Sequence, residues 1–163
     1  MLLTDLLRGA VAGGVSTWFM DLVTTGVAQG QSASVTARES AASPHGRSSV
    51  GNLVDRIDER LGLDLSTPAR TRAEQVIHYG LGVGPAAAYA VALRRSSKVA
   101  IGQGLLFGLG LWLVNDEYLN AKLGLAGPWE AYPMETHWRG VVGHAALGVS
   151  THAVVRMLGG RTG

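Results

Sequence analysis

The chain has 163 residues, a length for one domain, and no cysteine, which excludes disulfides and thiolate metal sites. Its formal net charge of +2 is too small to point to nucleic acid, and 16% of its residues are charged where soluble domains carry about 25%. Its 23 glycines are spread through apolar stretches rather than gathered in turns, as in membrane helices.

Four apolar stretches predict an all-α, polytopic membrane domain over residues 1–163, with four transmembrane helices arranged as two hairpins. The soluble alternative is a helical bundle with a Gly-rich core, at a cost of about 1 kcal/mol per helical Gly relative to Ala. The first helix is expected over residues 6–27. It lacks a basic n-region and a small-x-small cleavage site, so it is read as a retained helix rather than a signal peptide. Residues 28–67 form a long outer loop. Its Ser/Ala-rich first half, "QSASVTARESAASPHGRSSV", reads as flexible. Its second half, "GNLVDRIDERLGLDL", sets Val54, Ile57 and Leu61 on one helical face and predicts a short amphipathic helix on the membrane surface or capping the bundle.

The second helix is expected over 68–93, with Ser66 or Thr67 as cap, Pro68 in the first turn and Pro85 as a candidate kink. The third, over 99–117, is the shortest, and the fourth runs over 137–158. Lys and Arg set the orientation. Arg8, the "RRSSK" loop with Arg94, Arg95 and Lys98, and Arg156 with Arg161 share one side. Asp116, Glu117, Glu130 and Glu135 lie on the other. The expectation is a membrane protein with both termini cytoplasmic and Trp129, Tyr132 and Trp138 in an outer aromatic belt.

A weak internal repeat runs through the chain. "VIHYGLGVG" (76–84) aligns without gaps on "VGHAALGVS" (142–150), and Gly9, Gly13 and Asp21 share the spacing of Gly104, Gly108 and Asp116. Each hairpin then has a Gly-x-x-x-Gly helix going out, an Asp near its outer end and a returning helix with a His. A true duplication implies a parallel repeat about an axis along the membrane normal.

Ionisable groups in lipid must face the bundle interior and pair. The candidate proton-linked cluster is therefore Asp21, His78, Asp116 and His144, with Glu117, His137 and His152 secondary. His137, His144 and His152 span about 80° of arc and form one stripe. Three readings stay open: hydrogen bonds across helix contacts, a site that titrates near the imidazole range, and a haem or metal held by His78 and His144. No cofactor motif is present. Gly9, Gly13, Gly104, Gly108 and the row Gly80, Gly82 and Gly84 are candidate packing positions, for folding or for a homo-oligomer in the bilayer. No phosphate loop, serine elbow or H-E-x-x-H occurs, so the reading is not an enzyme.

The opening helix "RGAVAGGVSTWFMD" (8–21), the outer "RIDERLGLD" element (56–64) and the Gly143–His144 pair in a last helix ending at Arg156 resemble the YagU-like family of small bacterial inner-membrane proteins. The last helix has Ala, Leu and Thr where that family leads one to expect aromatic and acidic residues. The resemblance implies an inner-membrane protein linked to survival in acid. It implies no substrate and no catalytic residues.

Overall fold

A computed structural model describes residues 2–160. Arg161, counted above among the cytoplasmic charges, lies outside the described residues. The architecture is all-α among the described residues: α1 (Leu2–Gln29), α2 (Ala33–Ala42), α3 (Ser49–Leu61), α4 (Thr67–Arg95), α5 (Leu105–Leu111), α6 (Asn120–Lys122) and α7 (Met134–Met157). A π-helical segment, Trp112–Leu119, joins α5 to α6. Helical backbone at both junctions makes residues 105–122 one rod.

Local chemistry sets the ends. Ser32 and Ser48 cap α2 and α3 by accepting from Val35 N and Gly51 N. Gly62 ends α3 in the left-handed region that Gly tolerates best. Pro68 sits in the first turn of α4, where its missing N–H costs nothing. The third helix departs from its expected range. Residues 97–100 form a 3₁₀ turn, and the rod starts only after Gly104, whose φ of +89° breaks the backbone. The outer loop is more structured than its Ser/Ala content suggests, because α2 occupies most of that half.

The seams show why the glycines are there. A Cβ on Gly9 would meet Ala86 O and Ala87 Cα at 2.5 Å, and one on Gly13 would meet Val83 Cα at 2.7 Å. Gly82 lies against Thr17 Oγ1. These contacts pack α1 antiparallel on α4. Gly104 and Gly108 lie against Gly148 and the His144 carbonyl, packing the rod on α7 in the same manner. Gly143 lies against Met20 and Thr24, bringing α1 onto α7. Gly80 and Gly84, expected at a helix contact, instead face open space, and Gly82 between them makes the approach. They point away because positions two apart on a helix lie on different faces.

The correspondence between hairpins extends to these contacts. Gly13 meets Gly82 across the first seam, and Gly108 meets Gly148 across the second. Each pair occupies matching positions of the internal repeat.

The distribution of polarity on α1 is inverted relative to a water-soluble helix. On α1 the buried residues are Asp5, Gly9, Ala12, Gly13, Ser16 and Thr17. The exposed ones include Leu3, Leu7, Val11, Val15, Trp18 and Leu22. Water-soluble helices turn their apolar stripe inward. Of the described helices, α4 is the one long and apolar enough by composition to cross a membrane.

The amphipathic element α3 covers one end of the bundle. Val54 is buried, as its spacing predicts, but Leu61 is exposed and Asp58 is buried. The reason is a polar contact with α4. Arg70 bonds Asp55 and, at 2.6 Å, Asp58, while Arg47 reaches Asp55 at 3.2 Å and Glu74 at 2.5 Å. Asn52 and Arg56 hold the loop after the rod, donating to Leu125 O at 2.9 Å and Leu123 O at 2.6 Å.

Candidate functional site

Under this cap, the outer halves of α1, α4, the rod and α7 enclose a cavity of about 510 Å³, within the usual range for small-molecule sites. His78, Asp116, Glu117, His137 and His144 line it, together with Glu39, Arg139, Trp112 and Tyr132. Three imidazole–carboxylate pairs converge here, each bridging two helices.

The first pair joins α1 to α4: His78 Nε2 lies 2.8 Å from Asp21 Oδ1, with both side chains partly exposed. The second joins the π segment to α7. His144 Nε2 lies 3.6 Å from Asp116 Oδ2, and His144 Nδ1 is 3.1 Å from Gly140 O. A carbonyl only accepts, so Nδ1 carries a proton. Nε2 then faces a carboxylate, and the contact is attractive only when a second proton sits on the ring or on Asp116. Asn115 donates to the other Asp116 oxygen at 2.8 Å.

The third pair is the most buried. His137 is 5% exposed, and its Nδ1 lies 2.9 Å from Glu117 Oε1 while Nε2 lies 3.2 Å from Trp129 O. Both ring nitrogens face acceptors, so the doubly protonated ring fills both bonds and the neutral ring fills one. Trp129 stacks on the imidazole with centroids 3.7 Å apart at 16°.

Neighbouring groups fix the rim. Arg139 on α7 bonds Glu39 of α2 and Gln31, and Arg38 approaches Glu135 at 3.9 Å. Tyr132 Oη accepts from Gly127 N at 3.1 Å and lies 3.3 Å from Ser43 Oγ. Of the three residues assigned to an outer aromatic belt, Trp138 and Trp129 are both exposed, Trp129 while also stacking on His137, and Tyr132 turns to the site. The stripe geometry of α7 accounts for the difference: His137 points inward, and the loop before it folds back over the ring.

The four expected cluster residues resolve into two separate pairs. His78, Asp116 and His144 line the cavity, and Asp21 bonds His78 from α1. His152 stands apart, with its Nδ1 2.7 Å from Tyr89 Oη deeper in the bundle. The Nε2 atoms of His78 and His144, which would ligate a haem or metal, are turned to Asp21 and Asp116. Among the described residues no group of three or more His, Asp or Glu has metal-holding geometry.

The π segment was not legible beforehand. It carries the adjacent residues Asn115, Asp116 and Glu117. In the structure Asp116 reaches His144 and Glu117 reaches His137, two turns away on α7. A wider turn lets two successive carboxylates address one neighbouring helix. The run of three polar residues in an apolar helix was the available signal. No protein-family model, curated protein or solved structure matches the chain.

Proposed function

We propose that this chain is an integral membrane protein whose outward-facing cavity takes up and passes protons. The observation that carries the reading is the convergence of three imidazole–carboxylate pairs on one cavity, in a bundle whose outer surface is apolar. In lipid, such groups are costly unless they face a cavity and pair. Imidazole is the side-chain class suited to exchanging protons near physiological pH, and three of them face this cavity or its wall.

The charge balance supports an inner-membrane orientation with both termini in the cytoplasm. Arg8, Arg94, Arg95, Lys98 and Arg156 belong to the end opposite the cavity, where Asp5 is the accompanying carboxylate. The cavity end itself carries Arg38, Arg47, Arg56, Arg60, Arg70, Arg72, Lys122 and Arg139, so the reading rests on the net charge of the two ends rather than on a Lys and Arg count. A role in survival at low external pH follows from this reading and agrees with the YagU-like resemblance.

Proton flux into liposomes bearing the purified protein tests the reading. The external pH would drop from about 7.5 to about 5.5, across the imidazole range. Flux above that of empty liposomes, abolished by His144→Ala, is expected. Flux no faster than in empty liposomes would overturn conduction.

A further inference from the structure

Three hydroxyls lie buried beneath the cavity. Ser16 Oγ and Thr17 Oγ1 on α1 and Thr151 Oγ1 on α7 have no hydrogen-bond partner within the protein. Ser and Thr in apolar helices ordinarily bond the carbonyl one turn back. Their neighbours do so: Thr24 donates to Met20 O at 2.9 Å, and Ser150 donates to Ala146 O at 2.6 Å. Ser16, Thr17 and Thr151 differ from their neighbours in leaving that capacity open.

Their positions form a descending row. Thr17 lines the cavity, one turn, or about 6 Å, below Asp21. The α1–α7 seam sets Met20 and Thr24 against Gly143, and Arg8 against Leu158. That antiparallel register brings Ser16 level with Ser150 and Thr151. The next residue on α7 is His152, bonded to Tyr89 of α4 at 2.7 Å. Below that pair the character changes. The Tyr89 ring itself belongs to an apolar cluster with Ala12, Ala90, Leu93 and Val155, and Val99 and Phe107 pack against it. Leu93 and Val155 are as fully buried as Ser16, Thr17 and Thr151, and differ from them in having no polar side-chain atom.

We infer that a water-accessible polar shaft leads from the outer cavity past Thr17, Ser16 and Thr151 to the His152–Tyr89 pair, and that the apolar cluster around Leu93 seals it from the inner face. Its occupants are water and the protons that water carries. Water can satisfy hydroxyls that the protein leaves free, and apolar constrictions close pores by excluding it. The inference rests on the membrane reading above, and it extends that reading to the route and to the closed state.

The absence of native cysteine makes the test direct. Thr17→Cys, Ser16→Cys, Thr151→Cys, Leu93→Cys and Val155→Cys each introduce a single thiol, with little change of volume at the hydroxyl positions. Right-side-out membrane vesicles would be exposed to external Ag⁺, which forms the silver thiolate and displaces a proton. Access controls such reactions. The thiols at 16, 17 and 151 are expected to be consumed about tenfold or more faster than those at 93 and 155. Consumption at 151 and 16 as slow as at 93 would overturn the shaft. Consumption at 93 and 155 as fast as at 151 would overturn the seal. Ser16→Cys exchanges one oxygen for sulfur and keeps the test available if another variant fails to fold. The readout is access rather than transport. Fast labelling without proton flux would retain the shaft and remove conduction, whereas slow labelling with flux intact would remove the shaft alone.

Discussion

Three glycines on α4 make opposite forecasts, although sequence pattern treats them alike. Gly80 and Gly84 have nothing within 4 Å of an added Cβ. Alanine at either site should raise stability by up to about 1 kcal/mol through helix propensity. At Gly82 the same Cβ lands on Thr17 Oγ1, and Thr17 Cβ is 3.2 Å away. Thr17 is 1% exposed and has no room to swing aside. Overpacking of this kind costs about 1–3 kcal/mol and more when backbone must shift. Gly82→Ala should therefore destabilise by a net of about 1–2 kcal/mol after the propensity gain. Thr17→Ala removes the obstructing oxygen and should recover most of that loss, giving a coupling of about 1–2 kcal/mol in a double-mutant cycle. Thermal unfolding in one fixed detergent, followed by circular dichroism, reads the wild type and the five variants. Losses at Gly80 or Gly84 equal to that at Gly82 would put the helix contact on the other face of α4. Absence of rescue by Thr17→Ala would refute the steric argument.

Other perturbations probe the polar interior. Glu117→Ala leaves the buried His137 with only the Trp129 carbonyl as acceptor and should cost about 3 kcal/mol, the low end for breaking a buried pair because the ring can shed a proton; a change in unfolding midpoint no larger than for an exposed residue would remove this pair from the site. Asp5 is 3% exposed and receives Arg8 and Arg94 at 3.3 Å each. Asp5→Asn should lower stability by about 2 kcal/mol in the same unfolding assay, since the arginines retain some water. Thr151→Val exchanges an unpartnered hydroxyl for a methyl and should leave stability unchanged or raise it by about 1 kcal/mol. A marked loss in melting temperature would reveal a hydrogen bond at Oγ1.

The periodic features were the legible ones. Asp21 and His78, and Asp116 and His144, could be matched across the two halves because lipid or a dry interior forces an ionisable side chain toward a partner, and the repeat supplied the partner. The glycine contacts were read half correctly. Gly9, Gly13, Gly104 and Gly108 carry the seams, but choosing between Gly80–Gly84 and Gly82 requires the rotation of α4, which its nearly uniform apolar composition does not encode. The π segment was hidden because one extra residue per turn alters hydrogen bonding without altering composition. Trp129 was assigned to an interfacial belt on residue type. Its stacking on His137 depends on how residues 123–133 fold over the site, a tertiary matter. Leu61 was assigned to a buried face by period, and the ion pairs of Asp55 and Asp58 with Arg47 and Arg70 turned α3 differently.

The repeat also isolates what is specific to the second hairpin. Asp21–His78 and Asp116–His144 occupy equivalent positions, yet the first pair is a 2.8 Å bond and the second a 3.6 Å approach with a carbonyl on the opposite ring nitrogen. The repeat spacing that maps Asp116 onto Asp21 maps Glu117 onto Leu22, which is 51% exposed. The spacing that maps His144 onto His78 maps His137 onto Thr71, which bonds its own helix at Thr67 O. The first hairpin thus keeps the Asp–His pair and lacks the buried third pair, the π segment and the stacked tryptophan. If the Asp21–His78 pair holds the bundle together while the second hairpin's pairs handle protons, the variants should separate. His78→Ala should lower the unfolding midpoint and leave most of the proton flux, whereas Glu117→Gln should remove flux at a smaller cost in stability. Liposome flux and detergent unfolding on the same preparations decide it. Flux lost in His78→Ala but retained in Glu117→Gln would assign the chemistry to the Asp–His pairs, with Glu117 and His137 as structural additions to a symmetric site.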